Sequence, residues 1–112
     1  MRRRERDDLA RLDDVRMACA LILSFTEGKR LPEFVSSPLL QSAVIRQMTV
    51  IGEASKNLTE ATRSRYPQIQ WSDMARLRDR AAHLYWDLDP LLIWKYVQED
   101  VPGLLEILSQ PT

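Results

Sequence analysis

From Asp7 to Glu27 the apolar residues Leu9, Leu12, Val15, Cys19, Ile22 and Leu23 recur every three or four positions. That spacing gathers side chains on one face of an α-helix. Gly28 follows, and glycine ends helices readily because it enters the left-handed conformation without steric penalty. Residues 29–37 hold Pro32 and two serines and read as a connection. Ser37-Pro38 then pairs an N-cap with a proline suited to the first helical turn,. A second long helix is expected from there to the approach of Tyr66-Pro67, with Leu40, Val44, Met48, Ile51, Ala54, Leu58 and Ala61 on its apolar face. Gly52 inside it costs about 1 kcal/mol relative to alanine, which a close helix crossing would justify. A third helix is expected from Ser72 as N-cap through Met74, Leu77, Ala81 and Ala82 to the neighbourhood of His83,. Asp89-Pro90 repeats the cap-and-proline signal, and a fourth helix would bury Ile93, Trp94, Val97, Val101, Leu104, Leu105 and Leu108. Pro102-Gly103 should kink or divide it. No segment alternates with period two, so the pattern predicts an all-α, up-and-down bundle of four to five helices forming one domain over residues 1–112,.

Composition narrows the classes. A chain of 112 residues, 45% of them hydrophobic, can hold a core without staples,. One cysteine, Cys19, excludes a disulfide framework and Cys-rich zinc sites, and one histidine leaves no all-protein zinc site, so no metal and no cofactor are expected,. No apolar run reaches the ~20 residues that span a bilayer, and the charged N-terminus leads into an amphipathic segment rather than a signal-peptide core,. No membrane association and a cytoplasmic location are therefore expected. Sixteen basic residues balance sixteen acidic ones, which argues against a protein that coats nucleic acid indiscriminately. The zero hides an uneven distribution: residues 28–65 carry +3 and residues 86–112 carry −4.

The stretch that carries chemistry is Arg76-Leu77-Arg78-Asp79-Arg80-Ala81-Ala82-His83-Leu84-Tyr85. It offers fixed cations, a group that holds or releases a proton near neutral pH, and a phenol. These are the parts needed to handle a phosphate ester: guanidinium neutralises nonbridging oxygens, and imidazole moves a proton to or from a hydroxyl. Arg78 and His83 are five residues apart, about 140° around an ideal helix, so they do not share a face. Either the helix frays near His83, or a second copy of the chain supplies the complementary group across a two-fold axis.

The order Arg78, four residues, His83, Leu84, Tyr85 resembles the Arg-x4-His-x-Tyr signature of HepT toxins, members of the HEPN superfamily of helical ribonucleases. Ile51-Gly52-Glu53-Ala54, Tyr66-Pro67, Trp71 and Asp89-Pro90-Leu91-Leu92-Ile93-Trp94 fit the same pattern, over roughly residues 40–108. The resemblance implies a HEPN-like bundle and a metal-independent RNA endonuclease, the toxin of a type VII toxin–antitoxin system. It implies Arg78 and His83 as the catalytic pair, and Tyr85 as the tyrosine to which a cognate MNT-type nucleotidyltransferase antitoxin adds AMP. It further implies a homodimer with the RNA cleft along its axis. Arg76 and Arg80 are candidates for RNA-phosphate contact, with Asp79 and Glu53 as supporting residues. Two positions depart from the family pattern: Asp79 stands where relatives often have asparagine, and Arg76 where many have glycine. The alternative is a non-catalytic helical partner subunit of a nucleotidyltransferase, compatible with the acidic C-terminal segment.

Overall fold

The computed structural model of the protein describes residues 3–84 and 89–110, and for residues 78 and 80–84 the backbone alone. These residues form helices α1 (Arg3–Thr26), α2 (Leu31–Val35), α3 (Pro38–Lys56), α4 (Glu60–Ser64), α5 (Trp71–Leu84), α6 (Pro90–Glu99) and α7 (Val101–Ser109). No strand occurs among the described residues. The fold is all-α, as the periodicity predicts, and the four long segments are where the pattern places them. No helix among the described residues is long and apolar enough to cross a membrane.

Several boundaries follow the local chemistry. Gly28 at φ +72° ends α1, and the Lys29 N–H donates to the Thr26 carbonyl at 3.0 Å. The Ser37 hydroxyl accepts the Leu40 N–H at 3.1 Å, and the Asp89 carboxylate accepts the Leu91 N–H at 3.0 Å. Each satisfies a donor that the first helical turn leaves open. Other expectations are corrected. The connection over residues 29–37 contains the one-and-a-half-turn helix α2, whose Phe34 is wholly buried. The second long helix breaks after Lys56, and α4 restarts under a Thr59 cap. The third begins at Trp71, so Ser72 lies inside its first turn rather than at the cap. The fourth is divided at Asp100, which leaves Pro102 in the first turn of α7 where its missing N–H has no partner to lose,.

The central helix is α3, packed against α1 on one side and α5 on the other; α7 returns onto α1, and α6 onto α2, α3 and α7. The core where they meet includes Val15, Ile22, Phe34, Ile51, Ile93 and Val97, each essentially inaccessible. The rings of Phe34 and Trp94 lie 5.3 Å apart, joining α2 to α6. Gln41 fixes α2 from the other side, its Nε2 donating to the carbonyls of Phe34 and Val35, both at 2.9 Å. Leu9 and Ala61, placed in the core by the pattern, are exposed.

Two polar ties hold distant parts of the chain. The Arg16 guanidinium grips the carbonyl of Leu108 through Nε at 2.9 Å and Nη2 at 2.8 Å, satisfying an open acceptor at the end of α7,. Asp8, only 3% exposed, accepts hydroxyl hydrogen bonds from Thr59 and, at 2.6 Å, from Thr62, together with the Thr59 N–H at 3.2 Å. The start of α1 is thereby fastened to the first turn of α4.

Candidate active site

Helix α5 is held at its start by aromatic packing. Trp71 and Tyr66 meet edge to face with centroids 6.2 Å apart, and the Trp71 indole N–H donates to the Arg63 carbonyl at 2.9 Å. Further along, Leu77 is buried and Met74 half-buried, whereas Ser72, Asp73, Arg76 and Asp79 are exposed. This amphipathic arrangement presses one side of α5 onto α3 and leaves a polar side outward,.

The motif residues fall on this platform as follows. Arg76, Arg78, Asp79, Arg80 and His83 all belong to α5, which is continuous through Leu84. Tyr85 lies outside the described residues. Because the helix runs unbroken through positions 78 and 83, those positions stand about 140° apart around its axis. Fraying near His83 therefore does not bring the pair together within one chain. Arg76 forms an exposed ion pair with Asp73, three residues earlier, an interaction worth less than about 1 kcal/mol at a surface. Glu53 is exposed on α3, the neighbour of α5, and its backbone carbonyl accepts from Asn57 Nδ2 at 2.8 Å. It borders a groove of about 320 Å³ whose rim also carries Arg11, Asp14 and Arg46.

The buried groups that could be mistaken for nucleophiles are inert. Burial pushes the Cys19 thiol up to about 12, so it is no thiolate at neutral pH,. Tyr96 is likewise pushed far upward, by burial first and then by the neighbouring Cys19 and Asp100. Among the described residues, Asp8 is the carboxylate whose proton affinity is shifted. Burial raises it, and the hydrogen bonds from Thr59 and Thr62, with Arg11 nearby, outweigh that effect and leave it below the ordinary value,. Its partners are helix-capping groups, so it serves architecture. Sequence reasoning missed it because an Asp flanked by Asp7 and Leu9 gives no local sign of a partner some fifty residues away; the one available hint is the Thr59/Thr62 pair after Asn57.

Comparison with known proteins gives a consistent result. A family model described as Ribonuclease HepT-like matches residues 15–110, a range containing α2 to α7 and the second half of α1. The chain is similar to a protein designated probable ribonuclease HepT from Thermococcus cleftensis, 41% identical over 83% of this chain and 84% of the relative. A protein designated as an RNase from Methanocaldococcus jannaschii is 36% identical over 89% of this chain and 92% of its own. Another, from Caldanaerobacter subterraneus, is 29% identical over 83% of each. No solved structure matches. With a helical bundle whose fifth helix carries the Arg78 and His83 positions, and a family match spanning most of its length, the chain belongs to the HepT-like ribonuclease family.

Proposed function

We propose that the protein is a metal-independent RNA endonuclease acting at a cleft between two copies of the chain, and that it is the toxin of a type VII toxin–antitoxin pair. Family membership together with the Arg78-x4-His83-x-Tyr85 order, its Arg78 and His83 positions on one continuous helix, carries this reading. His83 takes the proton of a ribose 2′-hydroxyl, whose oxygen attacks the adjacent phosphorus. The 5′-oxygen leaves with a proton returned by an imidazolium, and Arg78 stabilises the charge that develops on the nonbridging oxygens. The nucleophile belongs to the RNA, so water need not be activated. Arg76 and Arg80 hold flanking phosphates, and Asp79 and Glu53 orient the cations. The 140° between positions 78 and 83 supports a composite site in which one copy supplies arginine and the other histidine.

The expected products are a 2′,3′-cyclic phosphate and a 5′-hydroxyl, formed undiminished in excess EDTA. End-group analysis of cleaved RNA checks this; hydrolysis that needs an added divalent ion, or that leaves 5′-phosphates, sinks the mechanism.

Neutralisation follows from the same sequence order. A nucleotidyltransferase antitoxin moves AMP from ATP to the Tyr85 hydroxyl, releasing pyrophosphate and leaving a bulky anion within two residues of His83. That anion competes with the RNA phosphate for the arginines. Intact mass after incubation with the neighbouring nucleotidyltransferase and ATP should rise by whole AMP units in the native protein and stay unchanged in Tyr85→Phe. An identical rise in the phenylalanine variant places the modification elsewhere.

A further inference from the structure

Between the first half of α1 and the end of α7 opens a hollow of about 580 Å³, within the roughly 300–1,000 Å³ of small-ligand sites. Leu9 and Leu108 line it together with the Asp13–Arg16 pair of α1, and Arg65 and Tyr66 join them from the link between α4 and α5. Leu9, which the apolar stripe of α1 would bury, is exposed on this wall. The Arg65 guanidinium carbon stands over the Tyr66 ring, 6.0 Å from its centroid. Planes in contact sit about 3.5–4.0 Å apart, so these two do not touch. A flat base between them needs twice the contact distance, roughly 7 Å. Arg65 is exposed, and a small turn of its own side chain supplies the difference. Asp13, the carboxylate on the wall, is held by Arg16 at 2.9 Å, whereas Arg65 has no carboxylate partner among the described residues. The hollow therefore keeps one unmatched positive charge beside an aromatic face.

We infer that Arg65 and Tyr66 form a subsite for one unpaired nucleotide of the RNA, a few nucleotides from the scissile phosphate. The base slides between guanidinium and ring, its edge rests on Leu9 and Leu108, and a flanking phosphate stays within reach of the Arg65 charge. A single-stranded base offers two flat faces next to a backbone charge, the combination that an aromatic ring and an arginine plane recognise. A duplex keeps its bases stacked on one another and offers no such face. The subsite is also connected to the motif helix. Tyr66 packs edge to face on Trp71, the first residue of α5, and position 78 stands two turns beyond Trp71 on the same helix. Those two positions are about 10.5 Å apart along the axis and about 20° apart around it, so the ring marks one end of the line on which the Arg78 position stands. The inference deepens the proposed function, on whose RNA cleavage it rests.

Binding of a labelled single-stranded RNA of about ten nucleotides to the full chain carrying His83→Ala, which removes the proposed base, tests the subsite. Adding Tyr66→Ala should weaken binding about 5- to 150-fold, with the helical circular dichroism kept. Tyr66→Phe should bind like the parent, because the phenyl ring retains the stacking face. Arg65→Ala, at an exposed position, should weaken binding and lower the slope of log Kd against log salt by about 0.7, the mark of one lost phosphate contact on a single strand. Affinity for a blunt RNA duplex should be the same with and without Tyr66→Ala. In the cleaving protein, Tyr66→Ala should lower kcat/KM for the strand relative to that for a dinucleotide, which is too short to reach the hollow. Unchanged single-strand binding by Tyr66→Ala, or equal weakening on strand and duplex, overturns the subsite and leaves the nuclease reading standing. A Tyr66→Ala protein that keeps its RNA affinity but no longer accepts AMP from the nucleotidyltransferase overturns it too, and makes the surface a protein contact. Ring-dependent binding by a native protein that cleaves no RNA supports the subsite and overturns the nuclease reading.

Discussion

His83→Ala is expected to lower the rate of RNA cleavage by about 100- to 10,000-fold, and Arg78→Ala by about 100- to 1,000-fold, without loss of helical content. An unchanged helical circular dichroism assigns the loss to chemistry rather than to folding. Arg78→Lys should recover little, because a lysine keeps the charge but not the planar fork that spans two phosphate oxygens. Mixing the two inactive proteins makes the sharper measurement. If each site takes arginine from one copy and histidine from the other, subunit exchange should restore about a quarter of the native rate. Half of the randomly paired dimers are then mixed, and each has one intact site. If both groups act from the same chain, mixing restores nothing. Initial rates on a labelled RNA before and after exchange decide between them.

Asp8→Ala is expected to destabilise the protein by about 2–4 kcal/mol, because it strands two hydroxyls and a backbone N–H that now share one carboxylate,. For a domain of this size the melting temperature should fall by roughly 10 °C. The effect should depend on pH in a defined direction. The folded state holds the Asp8 carboxyl below its ordinary value, so the unfolded chain binds that proton first as pH falls. The stabilisation is present in full above about pH 5 and disappears as pH drops from the ordinary carboxylate range, about 3.9, through the lowered folded value. Urea titrations of native protein and Asp8→Ala at pH 7 and across the acid range check this. A gap that stays constant down to the acid limit would show that Asp8 acts by packing alone.

The helices were legible wherever local chemistry and periodicity agreed. Ser37-Pro38, Asp89-Pro90 and Gly28 each punctuate the chain through their own backbone or side-chain bonds, and each does so in the structure. Errors arose where a distant partner overrode the local pattern. Leu9 fits the apolar stripe of α1, yet Asp8 is the buried neighbour because Thr59 and Thr62 bond to it from across the fold. Helix α2 is too short to show a period; one phenylalanine, fixed by Trp94 and Gln41, defines it. The order of Arg78, His83 and Tyr85 is short-range and plain in the sequence, whereas the meeting of arginine with histidine is a relation between helix faces.

The grip of Arg16 on Leu108 also bears on how the molecule comes into being on the ribosome. One flank of α1 can settle against α3 as soon as residue 56 has emerged, but its other flank closes on α7, 92 residues downstream of Arg16. Until α7 has emerged, the nascent chain carries the motif helix α5 on an unfinished scaffold, and the entropy of closing so long a loop is not yet offset. The scaffold of α1, α3 and α7 therefore closes only after the motif helix has been made.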